Sequence, residues 1–213
     1  MMGRLKTLCL LLLLSLSAGA QEPTSDGSPV SLRDLFRHMP DSIIPYLTTN
    51  NRLDMLDFWD SGMHVGVKNN LDGRSELKAL SDSCLTVQLN ESSRFEMILL
   101  DCAQPVDSSY QLLCTIYHFG TDSIAPVRGI HPCQSVIRFY SARWSPLSAD
   151  DFLVIPTDGQ SMTDSYTAKW IPRDNMLQLT MRSSLDVPAN EEQTDLEETL
   201  VNLKWNGKTF KKL

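Results

Sequence analysis

The feature that most limits how this chain can fold is a change of hydrophobic period at Gly62. Before it, apolar residues recur at helical spacing, and after it they alternate. A period near 3.6 lays one stripe of a helix on a core, whereas a period of two lays one face of a strand there. The segment before Gly62 is therefore predicted to be helical and the segment after it to be strand.

On the helical side, Ser31 is placed to cap a first turn, with Asp34 three residues on and Leu32, Leu35, Phe36 and Met39 at helical spacing. Pro40 stops that helix, and residues 42–47 form a second short apolar turn. Asn50 or Asn51 can cap a third helix, whose Leu53, Met55, Leu56, Phe58 and Trp59 give a wide apolar face up to Gly62.

Beyond Gly62, residues 64–68, 76–80, 84–89 and 95–100 are strand candidates separated by short Asn-, Asp- and Ser-rich turns. Residues 110–119 and 133–140 continue the run. Connections this short favour antiparallel neighbours over parallel crossovers. In the last third, 148–153 reads as a capped helical turn, 161–169 as helix or strand, and 176–181 and 200–205 as strands. The acidic stretch around Glu191, Glu192, Glu197 and Glu198 reads as an exposed helix or loop. The expected fold is α+β, with N-terminal helices packed on a largely antiparallel meander sheet of about six to eight strands.

The first 20 residues stand apart. Arg4 and Lys6 precede an apolar stretch from Leu8 to Leu16, and Ala18-Gly19-Ala20 offers small residues for cleavage before Gln21. This is the pattern of a secretory signal. The apolar stretch is about half the roughly 20 residues a membrane-spanning helix needs. Cys9 lies inside that stretch rather than directly after it, so a lipid anchor on the mature terminus is not expected. The domain reading is a cleaved signal at 1–20, a flexible leader at 21–30 and a single domain at 31–213. Removing the first 20 of the 213 residues leaves 193, takes the net charge from −7 to −9, and leaves Cys84, Cys102, Cys114 and Cys133.

That acidic balance disfavours nucleic acid or anionic lipid as the main partner, since both need clustered Lys and Arg. The only basic cluster is Lys208, Lys211 and Lys212, read as a solubilising tail. Four cysteines in an exported chain permit two disulfides. Cys102 with Cys114 and Cys114 with Cys133 join neighbours in the expected meander, and four buried thiols are the alternative.

The string Asp34-Leu35-Phe36-Arg37-His38-Met39-Pro40-Asp41-Ser42, then Pro45-Tyr46-Leu47, Asn51-Arg52-Leu53-Asp54-Met55 and Asp60-Ser61-Gly62-Met63, resembles a family of uncharacterised exported Bacteroidales proteins that share a domain of unknown function. Ser141-Ala142-Arg143-Trp144-Ser145-Pro146-Leu147 and Leu203-Lys204-Trp205 are similar to it as well. The resemblance implies export to a Gram-negative envelope, periplasmic or secreted, and brings no activity, cofactor or catalytic residue. Two Asp-Ser-Ile triplets, at 41–43 and 122–124, match the O-glycosylation pattern of that bacterial group.

Four residues have the chemistry of a zinc site: Cys114 and His118, then His131 and Cys133. On strands, positions two or four apart share a face. The alternative reading makes these cysteines core residues or a cross-strand disulfide and leaves the histidines at the surface. No Gly-x-Ser-x-Gly elbow, phosphate loop or recognisable Cys–His signature is present. Asp54 with Asp57 is one of several carboxylate pairs whose spacing alone does not define a glycosidase. Among the aromatics, Trp144, Tyr140 and Trp170 are candidates for a binding surface, against core packing as the commoner role.

The leading expectation is a non-enzymatic binding module of the envelope, whose partner is an envelope protein or a glycan. The alternatives are a hydrolase acting on envelope polymers through a carboxylate pair and a zinc-binding protein. No cofactor, nucleic acid or membrane span is implied.

Overall fold

The computed structural model describes residues 30–120, 134–155, 165–182 and 198–213. The expected signal and most of the leader lie outside them, as do the acidic stretch at 191–197 and the second Asp-Ser-Ile triplet.

Two helices open the described chain. In α1 (Leu32–Arg37), Leu32, Leu35 and Phe36 are buried, and the hydroxyl of Ser31 makes no capping bond. Asp34 instead pairs with Arg37 one turn on. In α2 (Thr49–Asp60) the cap is Thr48 rather than either asparagine. Asn51 sits three residues into the box and returns the bond: its backbone N–H donates to Thr48 Oγ1, and the Thr48 N–H donates to Asn51 Oδ1. Gly62, at φ +67°, follows the helix end.

The rest is antiparallel strand. Seven strands pair in sequence order in one sheet: β1 (Val67–Lys68), β2 (Arg74–Leu80), β3 (Cys84–Asn90), β4 (Ser93–Val106), β5 (Ser109–Phe119), β6 (Gln134–Ser141) and β7 (Pro146–Leu147). Four more form a second sheet, also in sequence order: β8 (Ser165–Ile171), β9 (Met176–Arg182), β10 (Glu198–Trp205) and β11 (Phe210–Lys212). The expected helical turn at 148–153 is a 3-10 turn at Ala149–Asp151; of the ambiguous 161–169 segment, 165–169 fall in strand β8 and 161–164 lie outside the described residues. One sheet was expected from the short connections; the strands divide into two.

Two cores lie on opposite faces of the seven-stranded sheet. Leu35, Phe36, Met55 and Leu56 of the helices share one with Leu85, Val87, Phe95, Met97 and Leu113 of the strands. Ile98, Leu100, Leu112, Ile116 and Phe139 share the other with Leu177, Leu179, Val201, Leu203 and Trp205 of the second sheet. Strand β4 feeds both, because consecutive side chains of a strand point to opposite faces. The two sheets come closest at β6 and β8, where the Ala168 N–H donates to Ser135 Oγ at 2.8 Å.

Arg52 organises the turn between the helices. Fully buried, its guanidinium donates to the carbonyls of Met39 and Leu47, to Thr49 Oγ1 and to Asp41 Oδ1. Four donor contacts from the two terminal nitrogens offset most of the cost of holding this charge away from water, while Nε is buried without a partner.

Candidate functional site

The three aromatics singled out in the sequence are interior. Tyr140 and Trp144 come together, ring centroids 5.3 Å apart, in the helix-side core, exposed by 4% and 8%. Trp144 stands at φ 63° in the β6–β7 turn, and its indole N–H donates to the Leu35 carbonyl at 3.1 Å. That bond anchors α1 to the sheet. Trp170, also 8% exposed, lies in the other core against Phe210. The Arg-Ser-Pro surroundings of Trp144 correctly mark a turn, but the left-handed turn folds the ring inward. None of the three presents a surface to a ligand.

Of the zinc candidates, Cys114 and His118 share the face of β5 that looks toward the second sheet, and both are buried. His131 and Cys133 lie outside the described residues. Among the described residues no three His, Cys, Asp or Glu side chains converge on one point. Cys84, Cys102 and Cys114 carry free thiols. Cys84 and Cys114 each stand opposite Ile98, on either side of β4, so a strand separates them. Cys114 also pairs across from Ile98 rather than from Cys102, so of the alternatives the sequence left open the Cys102–Cys114 disulfide is not formed and these thiols are free. Burial pushes the Cys84 thiol up to about 11, and does the same for Cys102. For the fully enclosed Cys114 the upward shift is larger still. Thiolate, the reactive and metal-binding form, is therefore suppressed at all three.

His118 has partners that the sequence did not reveal. Ser135 Oγ lies 3.0 Å from His118 Nδ1, and Glu96 Oε1 lies 3.5 Å from Nε2. Strands β4, β5 and β6 supply one residue each, with Ser135 directly across from His118. Ser135 Oγ also accepts from the Ala168 N–H, and His118 Nε2 is buried without a hydrogen-bond partner. Arg94 Nε forms an ion pair with Glu96 Oε1 at 3.0 Å. A serine, an imidazole and a carboxylate in a row are the parts of a nucleophilic relay. Here Ser135 is 6% exposed and His118 3%, and the serine oxygen is held by a backbone donor. The cluster ties the sheets together and offers no approach to an acyl carbon.

The exposed chemistry lies on the helix side of the same two strands. Tyr117 and Phe119 stack at 4.3 Å, with Phe119 46% exposed. Val136, 38% exposed, faces Tyr117 across the ladder, and Gln134 faces Phe119. Arg138 continues that face of β6 in the open. The Tyr46 hydroxyl bonds the Tyr117 hydroxyl and fixes the inner end of the strip, and partial burial raises the Tyr46 phenol well above its usual value. Alternation along 110–119 could have marked Tyr117 and Phe119 as sharing a face. Which face the helices leave uncovered was not legible from that alternation.

Fold and site together define a two-sheet antiparallel α+β domain with buried polar struts and a partly open aromatic strip. The chain belongs to the family described as proteins of unknown function, DUF3256, whose model matches residues 28–209. Comparison with curated proteins gives no match. Among solved structures, a domain of an uncharacterized protein from Porphyromonas gingivalis W83 is similar in fold, with a TM-score of 0.62 at 18% identity over 85% of this chain and 97% of that one.

Proposed function

We propose that this is an exported protein of the envelope, periplasmic or secreted, that acts by binding another envelope component, protein or glycan, rather than by catalysis. The observation that carries the reading is the Tyr117–Phe119 stack, open beside Val136, Gln134 and Arg138. Aromatic and arginine side chains, held rigid and partly uncovered, are the composition of recognition surfaces. The clustered side chains with nucleophilic or metal-binding character, Ser135, His118 and Cys114, are turned inward, while His38 and His64 stand exposed and apart from them. Export is supported by the basic, apolar and small-residue order of the first 20 residues.

The test is site-specific photocrosslinking in native envelopes. A photoreactive residue at Phe119 or Val136 is expected to give a common product, identified by mass spectrometry as protein or glycan. The same probe at Tyr110, 63% exposed on the same strand, serves as the control and is expected to give none of it. Identical patterns at all three positions overturn the binding reading. N-terminal sequencing of the envelope form is expected to begin at Gln21, and an uncut terminus in the cytoplasmic fraction overturns export.

A further inference from the structure

The lysines at the end of the chain are not a tail. Lys204, Lys208, Lys211 and Lys212 belong to the β10–β11 hairpin, and no acidic side chain occurs from Thr199 to the last residue. Lys204 and Lys211 are direct cross-strand partners, an arrangement of like charges that weakens a hairpin. Among the described residues none of the four lysines forms an ion pair, as is also true of Arg74, Arg138, Arg143, Lys169 and Arg173, whereas Arg33, Arg37, Arg52, Lys68, Lys78 and Arg94 each have a carboxylate partner. A shallow groove beside β11 brings Lys211 and Lys212 together with Val154, which is 71% exposed, and with Asp150. Leu213, 73% exposed, follows directly.

We propose that this hairpin edge docks on an anionic phospholipid surface. Lysines meet lipid phosphates, while Val154 and Leu213 are placed to enter the headgroup boundary, the combination that distinguishes an interfacial anchor from a simple anion site. Charge fixes the orientation. Without these four positive charges the processed chain's −9 becomes −13, so the remainder is repelled by the surface that attracts the hairpin. The acidic total argues against lipid for the molecule as a whole, but segregated charge permits it at one edge.

The experiment is flotation of the processed chain, from Gln21 on, with phosphatidylcholine vesicles, with and without phosphatidylglycerol. Binding is expected only to the anionic vesicles and is expected to fall with salt. Near a strongly anionic surface each lysine contributes about fivefold in affinity, so Lys211→Glu with Lys212→Glu is expected to weaken binding by at least about twentyfold. Asp150→Asn, which removes the one acid of the groove, is expected to strengthen it. Val154→Ser with Leu213→Ser is expected to weaken binding while leaving the salt dependence. Unchanged melting temperatures show that the variants fold. Equal binding to neutral vesicles, no binding to anionic ones, or indifference to the lysine reversal overturns the proposal. Indifference to the aliphatic changes, or binding to an anionic polysaccharide but not to vesicles, overturns it in favour of a glycan or free-phosphate site.

Discussion

Arg52 illustrates how much one side chain can organise. Its four acceptors come from three places, Met39, Asp41 and the Leu47–Thr49 corner, so the connection between the helices is wrapped around a single guanidinium. The pattern of the sequence treats an arginine on an amphipathic helix as solvated, because charged residues are seldom fully buried. Nothing in its spacing announces the convergence. The pairing has a consequence for Asp41, whose carboxyl the hydrogen bond from Arg52 holds below its ordinary 3.8, with desolvation opposing. A depressed folded-state value means that the contribution is present above the unfolded value and lost as pH falls through the folded one. Asp41→Asn is therefore expected to lower the melting temperature at neutral pH. The gap from the parent protein should then close in acid below about pH 3.8, as thermal denaturation across that range would show. A gap that persists in strong acid would mean that the charge is not the source of the stability.

Among elements, the β10–β11 hairpin depends on the glycine of its turn. Gly207 stands at φ +89°, its carbonyl accepts from the Ala103 N–H at 2.8 Å, and a Cβ there would lie 3.2 Å from that of Ala103. Gly207→Ala combines left-handed strain with a clash and is expected to cost about 1–3 kcal/mol in urea denaturation. Gly62→Ala, at φ +67° with open space around it, carries the strain alone and is expected to cost less. The strands themselves were largely legible: Leu85, Val87 and Leu89 alternate in the sequence and are all fully buried in β3. The division into two sheets was not, since alternation reports which side is covered and not what covers it. One signal was present, the unbroken apolar run Met97-Ile98-Leu99-Leu100, which is what a strand covered on both faces requires. The candidate site was less legible. Cys114 and His118 do share a face, but Glu96 and Ser135 enter through strand register, which no local pattern encodes. The aromatics chosen for their type and setting, Tyr140, Trp144 and Trp170, proved to be core residues.

At the scale of the molecule, three layers are held by a few long-range polar bonds added to two apolar cores. Trp144 joins α1 to the seven-stranded sheet, Trp205 donates to the Asp101 carbonyl at 2.7 Å, and Ser135 joins the sheets through Ala168. Ser135→Ala leaves the Ala168 N–H buried without an acceptor and is expected to cost about 1–3 kcal/mol. Because the second core is shared by both sheets, far-ultraviolet dichroism and tryptophan fluorescence should still report one coincident transition in that variant. Separated transitions would show that the sheets are independently stable. These layer contacts span more than a hundred positions in two cases, but the strand ladders do not. Among the described residues, each strand in both sheets pairs only with strands adjacent to it in chain order. A polypeptide delivered from its N-terminus can thus complete each ladder as the next strand arrives, without holding an unmatched edge open for a distant partner. Only the closing of one finished meander over the other must wait for the end of the chain.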